Sequence, residues 1–95
     1  MLKGRLLENN QRYNTMSITR HEAIQMVLAE LDRAHTLHPK WPKDRFDQAQ
    51  IVAMRAGNLL VQCDNPRGTP IKTAVQVAAM AIRFLEETPG ELPHE

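Results

Sequence analysis

IVAMRAGNLLVQC, from Ile51 to Cys63, holds a single charge, Arg55, in thirteen residues. Apolar and polar residues do not alternate along it, so it fails the test for a strand and reads as a helix. Asp44 or Asp47 would start that helix, either as the cap or as a carboxylate at the positive end of the helix dipole. The expected span is 45–63. Gln48, Arg55 and Gln62 recur at intervals of seven and, with Asn58, form one thin polar stripe on an otherwise apolar rod. Gly57 in mid-helix costs about 1 kcal/mol against alanine, which a close helix crossing would offset. Cys63 at the end of an apolar helix reads as a buried thiol acting as a small hydrophobe.

Toward the C-terminus, Asp64-Asn65-Pro66-Arg67-Gly68-Thr69-Pro70 stops this helix and turns the chain. Thr69 as a cap, with Pro70 at the first helical position, then starts a helix over 70–87. Val75, Ala78, Ala79, Ile82 and Leu85 give it an apolar face, widened by Ile71, Val77, Met80, Ala81 and Phe84. Ala74, Ala78 and Ala81 permit tight approach, and Thr73, Gln76 and Arg83 form a narrow polar line. Pro89-Gly90 ends it, leaving 89–95 as a tail. The two apolar helices should be antiparallel neighbours and form the buried half of the protein.

Toward the N-terminus lies the connector HPKWPKD, His38 to Asp44, whose two prolines bracket the only tryptophan. It should be extended and rigid, with Trp41 laid on the helix pair. Before it, Thr19 and Glu22 match a capping box and open a helix over 19–37. Ala23, Ile24, Val27, Leu28, Leu31 and Ala34 follow three-and-four spacing and give it one buried stripe. His35 and His38 stand three apart, but Pro39 interrupts the helix and no third ligand lies nearby, so they read as structural or solvent-facing. Residues 1–16 read as a tail or a short helical turn.

The chain is therefore all-α, with one three-helix domain over 17–88. Ninety-five residues bury a modest core, and two helices apolar nearly all round cannot both be hidden inside three. A homo-oligomer, dimer or tetramer, is expected. A net charge of +1 gives no field suited to nucleic acid or a membrane surface. One cysteine precludes an internal disulfide and fits a reducing, cytoplasmic setting. No apolar run reaches the roughly 18–20 residues of a membrane span.

The connector, the Ile51–Cys63 block and AVQVAAMAIRFLEE (Ala74 to Glu87) together resemble the short, phage-type MazG-like nucleotide pyrophosphohydrolases, from about Glu30 to Glu86. The resemblance implies an all-α fold whose helices carry an E-E-x-x-E block and an E-x-x-D block. In that family these carboxylates hold Mg²⁺, which clamps a nucleoside triphosphate and activates water to cut between the α and β phosphates. The first block falls here on Met54, Arg55 and Asn58, and the second on Thr73 and Gln76. Every expected carboxylate is replaced, one of them by a cation. No Asp or Glu occurs from Gln48 to Gln62 or from Ile71 to Leu85. Glu30 or Asp32 of the first helix is in range to face the groove, but one or two lone carboxylates make no metal cluster. The resemblance thus implies a degenerate, non-catalytic member with no cofactor. Its Arg55 would either pair with an acid in a polar seam or bind an anion, such as a nucleotide phosphate, without metal. The alternatives are a Mg²⁺-dependent hydrolase with altered ligands and a phage accessory protein acting by protein contact.

Overall fold

The computed structural model describes residues 17–88, so the expectations for 1–16 and 89–95 lie outside the described residues. Three helices follow one another: α1, Arg20–Leu37; α2, Arg45–Asp64; and α3, Pro70–Glu87. Among the described residues there is no strand, and no helix is long and apolar enough to cross a membrane.

Each helix starts where the local chemistry places it. Thr19 accepts from the Glu22 amide at 3.1 Å and its own amide donates to the Glu22 carboxylate at 2.9 Å, completing the capping box. Asp44, rather than Asp47, caps α2 by accepting from the Asp47 amide. Thr69 stands at the cap of α3, but its hydroxyl makes no capping bond, contrary to expectation; Pro70 at the first turn sets the helix direction instead. The Thr69 amide is satisfied by the Gln62 side chain at 3.0 Å, which closes the turn.

Side-chain pairings fix the arrangement. Gln62 meets Thr69, Arg55 meets Gln76, and Gln48 meets Thr88, so α2 and α3 run antiparallel as a hairpin. On the other flank, Leu31 and Ala34 of α1 cluster with Ala79 and Met80, and His38, just past the end of α1, meets Arg83 further along α3, so α1 runs parallel to α3. The helix pairs that pack are α2 with α3 and α1 with α3.

Within a single chain, Ile51–Cys63 is not the buried centre. The fully buried residues are drawn chiefly from α3, at Thr73, Ala79, Met80 and Arg83, with Leu31 and Ala34 from α1 and Gln48 alone from α2. A helix flanked on two sides loses most of its surface, whereas α2 is flanked on one. Met54, Leu60 and Val61 remain 66%, 75% and 59% exposed. Cys63 is exposed, not buried. Gly57 has open space where a Cβ would stand, so no close crossing within the chain explains it. Trp41 does pack on the core cluster, as its place between two prolines suggested.

Candidate functional site

A groove of about 620 Å³ opens between α1 and α2, with α3 as its floor. Gln76, Met80 and Arg83 rise from the floor. Ile51, Met54, Arg55 and Asn58 form the α2 wall, Glu30, Arg33 and Ala34 the α1 wall, and Lys40, Trp41 and Pro42 of the connector line it as well. Four of the five positions singled out in the sequence, Met54, Arg55, Asn58 and Gln76, thus come together. Thr73 does not join them: it is buried, and its hydroxyl donates to the Thr69 carbonyl at 3.0 Å, an internal helix bond.

The polar side chains of this seam are largely engaged with one another. Asn58 accepts from the Gln62 amide group at 3.3 Å, and Gln62 in turn accepts from Thr69. Arg55 donates to the Gln76 side-chain oxygen at 3.4 Å, a long bond to a neutral partner. Neither Glu30 nor Asp32 pairs with it. Glu30 faces the groove but takes two hydrogen bonds from Arg33, at 2.9 and 2.7 Å, and Asp32 is exposed. Those bonds hold the Glu30 carboxyl below its ordinary value against the opposing effect of burial, with the charges of Arg33, Arg55 and Lys72 adding to the same end. The same pairing raises Arg33.

Four cations therefore line the groove against one carboxylate. Arg33 is committed to Glu30. Arg83, 1% exposed, is committed to Glu87 at 2.9 Å and to the His38 carbonyl at 2.7 Å, and its guanidinium stacks over Trp41 with 4.8 Å to the ring centroid. Among the described residues Arg55 and Lys40 form no ion pair with a carboxylate, although the Glu30 carboxylate feels the charge of Arg55, and Arg55 stands at the middle of the α2 wall.

Two residues read in the sequence only as members of polar stripes turn out to anchor the connector at the end of the groove. Arg83 ties the connector to α3; the signal was its spacing of four from Glu87, a helical ion pair. Gln48, 1% exposed, donates to the Pro42 carbonyl at 2.6 Å and accepts from the Thr88 hydroxyl, which anchors the connector to the foot of the hairpin. Trp41 sits between these anchors, and its indole N–H has no acceptor among the described residues. His35 lies 3.6 Å from Glu86 instead of sharing a ligand with His38. Among the described residues, no three His, Cys, Asp or Glu side chains are grouped to hold a metal ion.

No family model, no curated protein and no solved structure matches the chain.

Proposed function

We propose that this chain is a non-catalytic, MazG-like helical protein that works as a homo-oligomer and binds an anion, such as a nucleotide phosphate, in the α1–α2 groove without a metal. The observation that carries the reading is the charge of the groove: among the described residues Arg55 occupies its α2 wall with only the neutral Gln76 as hydrogen-bond partner, and the one carboxylate that lines it is held by Arg33. A divalent cation needs several converging oxygens of negative charge, and this wall offers the opposite sign. An anion there gains a charge-assisted bond from Arg55, with Lys40 nearby at the connector. Met54, Ile51, Met80 and Trp41 supply apolar surface for the uncharged part of such a ligand.

The single tryptophan lines the groove, so its fluorescence reports occupancy. Titration with a panel of nucleoside triphosphates, with and without Mg²⁺, should change Trp41 emission and release heat. The response should survive EDTA, weaken with added salt, and fall at least about tenfold in Arg55→Ala, the equivalent of about 1.4 kcal/mol. Silence at millimolar nucleotide removes the binding reading. Pyrophosphate release that disappears with EDTA replaces it with the hydrolase alternative. The protein-contact alternative rests on the apolar residues of α2 that the chain leaves uncovered, and it is the outcome if no nucleotide binds and a partner is found.

A further inference from the structure

The uncovered surface of α2 has an order that bulk apolarity does not convey. Phe46, Ala49, Ala53, Ala56, Leu60 and Cys63 succeed one another at spacings of three and four, and all six are exposed. Such spacing is the seam of a helix that packs along another helix. The stripe lies away from the groove. Ala49 and Ala53 border an apolar depression of about 470 Å³ shared with Ala81, Phe84 and Leu85 of α3, and Leu85 is 75% exposed.

The stripe is complementary to itself when reversed. About a two-fold axis passing between Met54 and Arg55, Phe46 falls opposite Cys63, Leu60 opposite Ala49, and Ala53 opposite Ala56 of the second copy. Each large side chain meets a small one. In the same register Val52 faces Gly57, the position with open space around its missing side chain. Arg45 faces Asp64, so the ends of the seam match in charge. A parallel pairing would instead set Phe46 against Phe46, Leu60 against Leu60, and like charges together.

We infer that the back of the α2–α3 hairpin is the self-association face, with α2 packed antiparallel on α2 of a second copy and the edge of α3 contributing Ala81 and Leu85. The occupant is another copy of this chain. Seventeen residue steps at about 1.5 Å make the seam about 26 Å long. With two helices about 9 Å apart, each copy offers roughly 500 Å² of footprint, so the pair reaches the ~1,000 Å² that a specific interface needs. The two grooves then open on the outer sides, and both stay accessible. This inference rests on the homo-oligomer part of the proposal and on nothing about the groove.

Light scattering on the purified chain should give twice its 10.8 kDa mass, and Ala53→Glu should halve the value without loss of helix by circular dichroism. The wild-type chain should resist cross-linking by a mild oxidant, because antiparallel packing holds the two Cys63 thiols about 26 Å apart. Phe46→Cys should give a covalent dimer, since its thiol falls opposite Cys63. A wild-type monomer at tens of micromolar would overturn both the oligomer and this face. An oligomer that survives Ala53→Glu, cross-links through Cys63 alone, or fails to cross-link in Phe46→Cys would keep the oligomer and overturn the face.

Discussion

Arg83→Met is the substitution that most directly tests how the connector is held. Methionine keeps the apolar stem but removes the hydrogen bonds to the His38 carbonyl and to Glu87, and the stack on Trp41. A hydrogen bond to a charged group contributes about 1.5–3 kcal/mol, and a partly desolvated cation–π pair about 1 kcal/mol. Against this, methionine no longer needs a guanidinium to be buried, and the freed carbonyl and carboxylate can recruit water, because His38 is exposed and Glu87 is one-third exposed. The net loss should be about 3 kcal/mol. The described 72 residues have a total stability of roughly 4–11 kcal/mol at this size, so the loss is a large share. It corresponds to a fall in melting temperature of about 12–24 °C. Arg83→Lys retains the charge but not the fork, and should recover less than half. Urea unfolding followed by circular dichroism and by Trp41 fluorescence measures both variants. If Arg83→Met falls within about 1 kcal/mol of the parent, burial of the arginine is not what fastens the connector, and the account of the groove's end is wrong.

Two further perturbations follow from single sites. Gly68→Ala should destabilise by about 2 kcal/mol, since a Cβ there meets the backbone carbonyl of Gln62 and neither side of the turn can yield cheaply; an unchanged urea midpoint would show that the turn is looser than described. Below pH 4.5 the chain should lose stability as Glu30, held low chiefly by its hydrogen bonds from Arg33, and Glu22, held low chiefly by the Thr19 amide, take up protons. A carboxyl depressed in the folded state stabilises it above its ordinary value, and that contribution disappears as pH falls through the depressed value. Melting temperature against pH should therefore be steeper below pH 4.5 in the parent than in Glu30→Gln, and parallel curves would remove Glu30 from the explanation.

The helix ends were legible because they are decided within a few residues. Thr19 with Glu22, Asp44 ahead of α2, and Pro70 after a turn sequence place all three starts. The resemblance grouped Met54, Arg55, Asn58, Thr73 and Gln76; four of them line one groove, and Thr73 turns into the interior. What covers each face was not legible. Periodicity says that a residue is apolar, not what lies against it, so Leu60 and Cys63 read as core, yet nothing within their own chain covers them. The reverse error befell Gln48 and Arg83, polar residues that are buried because backbone carbonyls await them. Pro42 serves Gln48 from six residues away, and His38 serves Arg83 from forty-five. Thr69 misled for a local reason: its backbone, at φ −124° and ψ 67°, lies outside the extended region from which a cap hydroxyl reaches the first-turn amides.

With α1 and α2 each packed on α3 and not on one another, the connector held by Gln48 and Arg83 is the remaining brace between the outer helices among the described residues. Loosening either outer rod leaves the other pair intact, so opening should proceed by peeling rather than by collapse of the whole. The backbone amides of α3 would then exchange with solvent last, and the groove would widen whenever α1 swings out. Its aperture would follow the grip of one helix on the central one, and that gives a bound molecule a handle on the entire fold.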